Sequence, residues 1–440
     1  RYSDLVAERL AASTEFVNDA LGRVTSIRHL DAAEGRIDRH ELDFDAVDQL
    51  VTWGIDGVSV DYSYDALGQL LSVSGASFGD REYAYDSTGN RVDDGVEIGA
   101  NNRLRSDLQY DYEYDLEGNL VRRVERETGQ YQTYQYDHRN RLTRSQRFSS
   151  AGFLLSESEY VYDAFDRLIA RLVDGDGLGP AGFEATWTVY DGVNAWADFD
   201  SAGDVITRYL FGQDADQLIA RWRPDQALAW YLTDHLGSVR KIIDSDGGVI
   251  NEIEYDSFGN IVVESDPQDA DRYKFTGREW DVQLEQYSFR ARYYDPATGR
   301  FSSEDPIGFV AADVNFYRYV GNAPTTYTDP SGLTASQFYS KAILSGTAVS
   351  GAVGGFTLGY VCGRLDAAVN GANDAEAHEA GLHGAILGSA IGFGVAGIVA
   401  GAGGAAPAAL PYLGAFFLSF GVTLGLIDVA TAPNLTTLLI

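Results

Sequence analysis

The chain has 440 residues, 45% of them hydrophobic and 22% charged, which is enough for two or three domains with a real buried core. A net charge of −32 excludes nucleic-acid binders, whose phosphate contacts need Lys and Arg, and disfavours anionic membrane surfaces as partners of the bulk of the chain. Cys362 is the only cysteine, which excludes an intrachain disulfide.

The first predicted elements, over residues 1–270, form a repeat. Tyr64, Asp65 and Gly68 recur as Tyr85, Asp86 and Gly89, and as Tyr114, Asp115 and Gly118. Tyr136 and Asp137 (with Asn140), Tyr162 and Asp163 (with Asp166), and Tyr255, Asp256 and Gly259 continue the series, with degenerate copies at Asp19 and Asp234. Alternation such as Tyr62-Ser63-Tyr64 puts both rings on one face of a strand. Asp then opens a turn, Gly supplies the positive φ, and Leu, Val or Ile starts the returning strand. Each unit is therefore a predicted β-hairpin that buries its aromatic stripe only by pairing with neighbours, and its Tyr and Asp residues read as scaffold. The spacing between successive Asp residues varies, which fits hairpins with elastic outer loops.

The next motifs are denser. Tyr231-Leu232-Thr233-Asp234-His235-Leu236-Gly237 is followed by Phe275-Thr276-Gly277-Arg278-Glu279 and Arg290-Ala291-Arg292-Tyr293-Tyr294-Asp295-Pro296. Gly299-Arg300-Phe301, Asn315-Phe316-Tyr317-Arg318-Tyr319 and Asp329-Pro330-Ser331-Gly332-Leu333 complete them. Over about residues 15–333 these motifs and the Tyr-Asp units resemble the Rhs family of YD-repeat proteins, and residues 271–333 resemble its core-associated segment. That family includes bacterial polymorphic toxins, the shell component of insecticidal toxin complexes, wall-associated repeat proteins and the teneurins. The resemblance implies a mostly β fold, part of a curved, spiralling cocoon wall plugged at one end. It implies the chain's own C-terminal tail as cargo, and a chain that is a piece of a longer one whose upstream part completes the wall.

Within the last motifs stand Asp305-Pro306-Ile307-Gly308 and Asp329-Pro330-Ser331-Gly332, 24 residues apart. By themselves these are ordinary turn sequences. The resemblance implies more: Asp305 and Asp329 act as an aspartic self-cleaving peptidase, cutting after Leu333. Two carboxylates sharing one proton serve as acid and base. Asp313 is the alternative second carboxylate. Glu304 is expected to raise the pKa of Asp305, and Arg300 and Arg318 read as salt-bridge partners rather than oxyanion donors.

The tail, 334–440, changes composition. No charge occurs in 342–363 or in 384–427, lengths that suit membrane-spanning helices. Gly351, Gly355, Gly359 and Gly363, then Gly384, Gly388 and Gly392, fall at the i, i+4 spacing that lets helices touch backbone to backbone. Three helices are predicted, at about 342–363, 383–404 and 411–427. The tail fits three readings: a membrane-inserting toxin, a membrane anchor, or a soluble bundle packed on glycine. His378 and His383 stand five apart, one too many for the zinc-protease helix motif, and the remaining histidines are scattered. No metal and no cofactor are predicted, and Cys362 reads as a small buried hydrophobe.

The sequence is thus expected to be a secreted or cell-surface bacterial shell that releases its own tail in interbacterial or host antagonism, with an immunity protein as a further partner. The rival is a non-catalytic adhesion protein anchored by the tail.

Overall fold

A computed structural model describes residues 2–4 and 9–333, apart from 94, 213–215, 225 and 312, together with residue 335. The glycine ladder from Gly351 to Gly392, the predicted helices, Cys362, His378 and His383 lie outside these residues. Among the described residues no helix is long and apolar enough to cross a membrane.

The described residues form three antiparallel sheets of 8, 16 and 4 strands, in which every strand pairs with its neighbour in sequence. The first runs from Tyr2–Asp4 to Arg81–Glu82, the second from Glu97–Ile98 to Ile261–Glu264, and the third from Glu279–Asp281 to Arg300–Phe301. This meander is what the repeat predicts, because each hairpin finds its partner in the next.

One unit shows the cause. Asp65 Oδ1 accepts the backbone N–H groups of Leu67 and Gln69 at 2.8 and 2.9 Å, while Gly68 takes φ +82°. Asp86, Asp137 and Asp256 accept the same pair of hydrogen bonds, from the N–H groups two and four residues on. Asp115 makes the second of the two, to Asn119. The strand register shifts just before Tyr64, Tyr114, Tyr136 and Tyr255, so that each faces the Leu or Ile six residues later. The bulge turns the ring inward. The hydroxyl then reaches back: Tyr64 donates to Leu50 O (2.6 Å), Tyr85 to Leu70 O (2.7 Å), Tyr190 to Leu168 O (2.9 Å) and Tyr255 to Val239 O (2.8 Å). Each acceptor is the first return-strand residue of the preceding unit. Phe could fill the space but not make this bond, which explains the choice of Tyr.

Units based on Asp45, Asp200 and Asp244 have the same turn, with Phe44, Phe199 and Ile243 in place of Tyr.

Residues 271–333 share a buried core with strand residues such as Tyr209, Leu218, Tyr231 and Tyr255. Tyr287, Phe289, Tyr294, Phe301 and Tyr319 are fully buried; Phe289 packs edge to face on Tyr294 and Tyr319, and Phe301 on Tyr319. Polar groups of this segment seal the tips of the wall turns. Tyr287 donates to Gly259 O (2.9 Å), Tyr317 to Gly118 O (2.8 Å) and Asn322 to Gly89 O (2.8 Å). Asn322 also donates to Gln69 Oε1 (2.9 Å) in the first sheet, so residues 271–333 touch turns from both large sheets.

Candidate functional site

The third sheet positions the site. Phe289 pairs with Arg292 across a two-residue hairpin turn, with Arg290 in the left-handed region. Residues 329–333 lie along this turn, held by three successive carbonyls. The Arg290 guanidinium donates to Pro330 O, the Ala291 N–H to Ser331 O (3.2 Å), and Arg292 Nε to Gly332 O. Gly332 has φ +71°, and a Cβ there would stand 2.3 Å from the carbonyl oxygen of Phe289. Only glycine fits this seat.

Arg292 also joins the two acids. Its Nη2 lies 3.1 Å from Asp305 Oδ2 and 3.6 Å from Asp329 Oδ2, and all three side chains are buried. Its Nη1 donates to Phe316 O (2.9 Å), and its guanidinium stacks on Phe301 at 3.6 Å. Each acid also performs the turn chemistry of its motif. Asp305 Oδ1 accepts the Ile307 N–H (3.0 Å); Asp329 Oδ1 accepts the Leu333 N–H (3.1 Å) and the Ser331 hydroxyl (3.0 Å).

Burial pushes the Asp305 pKa up. Arg292 and the Ile307 N–H oppose this, and Asp329 and Asp313 reinforce it. Burial brings Arg292 down to about 10 against the pull of the same acids. At neutral pH the guanidinium is still charged.

The structure thus brings Asp305, Asp329 and the Leu333 segment together. Asp313 is elsewhere engaged, accepting from Arg318 Nε (2.8 Å) and the Asn315 N–H (2.8 Å). Glu304 does not press on Asp305 as expected. Its carboxylate turns away to Arg103 (3.2 Å) and the Tyr317 hydroxyl (3.3 Å). Arg300 donates to Asn102 O and stacks on Tyr317. The expectation of two acids sharing one proton directly is modified by Arg292, which stands between them. The sequence shows Arg292 only as one of two arginines in an aromatic run, and its partners 13 and 37 residues away appear only in the folded chain.

The histidines are not all scattered. His29 and Asp38 are cross-strand partners, and His40 lies two residues on. One ligand atom from each falls within 4.8 Å of the others, all buried. Hydrogen bonds fix the tautomers against a metal. Trp53 donates to His40 Nδ1 (3.2 Å), so His40 Nε2 carries the ring proton and faces Asp38 Oδ1 at 3.6 Å. His29 Nε2 faces the Thr233 carbonyl (3.2 Å) and must donate, while its Nδ1 meets the Thr14 hydroxyl (2.8 Å). Neither Nε2 offers a lone pair. Lys241 lies 3.4 Å from Asp38, tying the end of the second sheet to the first.

This cluster makes the sheet junction acid-sensitive. Burial draws His29 to about 4, against the attraction of Asp38, and lowers His235 too. Burial alone would raise Asp38, but His40, His29 and Lys241 hold it well below the carboxylate range, so it stays ionised. Unfolded histidine titrates near 6.5. From about pH 6.5 down to about pH 4 the unfolded chain therefore binds a proton that folded His29 refuses, and stability falls as pH falls. The expected loss is about 3 kcal/mol from His29. Denaturant midpoints between pH 7 and pH 4.5 should drop more steeply for the parent than for His29→Gln; equal slopes would refute the assignment.

The comparisons agree with this architecture. A family model described as Teneurin YD-shell matches residues 11–325. Toxin protein Tse5 of Pseudomonas aeruginosa is 28% identical over 354 residues, covering 66% of this chain and 26% of that protein. The tRNA nuclease WapA of Bacillus subtilis is 28% identical over 303 residues, 63% of this chain and 11% of its own length. Double-stranded DNA deaminase toxin A of Burkholderia cenocepacia is 28% identical over 310 residues, covering 63% and 21%. The chain therefore spans about a quarter or less of these relatives. Among solved structures, a crystal structure of TcdB2-TccC3-Cdc42 superimposes with a TM-score of 0.51 at 19% identity, covering 73% of this chain and 18% of that one. With its Tyr-Asp hairpins joined in sequence and its core-associated segment sealing their tips, the chain belongs to the YD-shell family of Rhs proteins.

Proposed function

We propose that this chain is the closing end of an Rhs-type shell that cuts its own backbone after Leu333, freeing the tail as enclosed cargo. One observation carries the reading. Asp305 and Asp329 both address one guanidinium nitrogen of Arg292, whose Nε holds the carbonyl of Gly332, next to the proposed scissile residue. Asp305, raised by burial, is the acid; Asp329 is the base. Asp329 takes a proton from water as the water oxygen bonds to the Leu333 carbonyl carbon. Asp305 gives its proton to the departing nitrogen, the C–N bond breaks, and a Leu333 carboxylate and a new amine result.

The uncharged stretches 342–363 and 384–427 support a membrane-directed tail, and the named toxin relatives support secretion as part of an antagonistic system. The test is intact mass and a denaturing gel. The purified parent is expected to give two species, one ending at Leu333, while Asp305→Asn and Asp329→Asn each give one full-length band. A parent that stays whole would sink self-cleavage and favour the anchored, non-cutting protein.

A further inference from the structure

Asp216 belongs to the wall, on the turn between the strands Val205–Phe211 and Leu218–Arg223, yet it points into the core-associated segment. It is 2% exposed and binds two arginines of that segment. Arg278 Nη1 donates to its Oδ1 at 2.6 Å, and Arg290 donates through Nη2 (2.7 Å) to Oδ1 and through Nη1 (3.1 Å) to Oδ2. Arg290 Nη1 is the same nitrogen that donates to Pro330 O. A continuous chain of contacts thus runs from the wall turn, through Arg290, to the segment that ends at Leu333. Beside it lies a cavity of about 260 Å³ lined from the wall by Phe165, Tyr190 and Phe211, and from the other side by Tyr273, Arg290 and Leu333. Wall residues therefore line the cavity beside the segment that ends at Leu333.

We propose that Asp216 is a positioning residue that makes self-cleavage conditional on the wall having closed onto its plug. The inference rests on the self-cleavage reading. Arg290 is a long side chain in a tight turn, and without Asp216 its guanidinium has no anion to fix its direction. It would then hold Pro330 O loosely, and misplacing a reacting bond by about 1 Å costs up to about a hundredfold in rate. While the wall turn is absent or undocked, residues 330–333 are unclamped and uncut. Once it docks, the pair with Arg290 registers residues 330–333 against Asp305 and Asp329.

The test is a time course of cutting in the full chain during cell-free synthesis with a radiolabel pulse, read on denaturing gels. Asp216→Asn keeps the size and backbone conformation, since Asn tolerates the φ of +65° found there, and removes only the charge that Arg278 and Arg290 share, so thermal unfolding of the variant is followed alongside cutting. It is expected to slow cutting by about tenfold to a hundredfold, and Asp216→Glu is expected to recover part of the rate. Arg290→Met should slow it similarly. Because the two residues act in series, the double variant should be no slower than the slower single variant. Effects that multiply would show that the two residues act independently of one another, and that result overturns the proposal, as does an Asp216→Asn chain that cuts at the parent rate. If the parent cuts and Asp305→Asn does not, a failure here concerns Asp216 alone. If the parent itself stays whole, the self-cleavage reading has failed and this inference falls with it.

Discussion

Replacing Arg292 by Met is expected to cost about 3–5 kcal/mol of shell stability at neutral pH and to stop cutting as well. The reason is what remains behind. Asp305 and Asp329 would stay buried with no cation between them, and Gly332 O would lose its donor. Such a pair relieves itself by taking up a proton, so the Asp305 pKa, already raised by burial, would climb further. The sign follows. The penalty is full at pH values where both acids are ionised, and it shrinks as pH falls and one of them protonates. Arg292→Lys keeps the charge but not the planar fork that reaches Gly332, Phe316 and both acids, so it should fall between parent and Met. Denaturant unfolding at pH 7.5 and at pH 5 measures both claims. A loss under about 1 kcal/mol, the range of exposed pairs, would show that Arg292 does not hold the acids together.

The second large effect is local. Gly332→Ala should leave most of the chain uncut while leaving the wall folded. A left-handed φ costs an alanine about 1–2 kcal/mol. The added Cβ would also meet the Phe289 carbonyl oxygen at 2.3 Å, backbone against backbone, with no flexible atom to give way. Residues 330–333 must lift from the hairpin turn, breaking the bonds to the carbonyls of Ser331 and Gly332. Intact mass gives the fraction cut, and thermal unfolding reports the wall. Complete cutting by this variant would mean that the segment seen along the turn is not in the reactive arrangement.

Much of this architecture was legible in the sequence because its causes are local. An Asp that caps a turn, a Gly at positive φ three residues on and an apolar residue two beyond that lie within one hairpin, so Tyr64 to Leu70 could be read directly. The units at Asp45, Asp200 and Asp244 escaped because the reading required Tyr, whereas the turn itself is made by the Asp carboxylate and forms after Phe44, Phe199 and Ile243 as well. The acids were legible through their repeated Asp-Pro-x-Gly motif. Arg292 and Asp216 were not, since their meaning lies in partners 13 to 74 residues away that only the folded chain supplies. His29 and His40 look unrelated 11 residues apart until the hairpin pairs His29 with Asp38.

The tyrosine staple gives the wall a direction. Leu50, Leu70, Leu168 and Val239 each present a carbonyl that is answered only when the following unit arrives. Until that unit arrives, the last hairpin ends in an unpaired edge strand whose carbonyls are open to water. Growth would advance as a zipper from the N-terminal side. The turn carbonyls of Gly89, Gly118 and Gly259 wait longer still, until Asn322, Tyr317 and Tyr287 arrive to finish the seam.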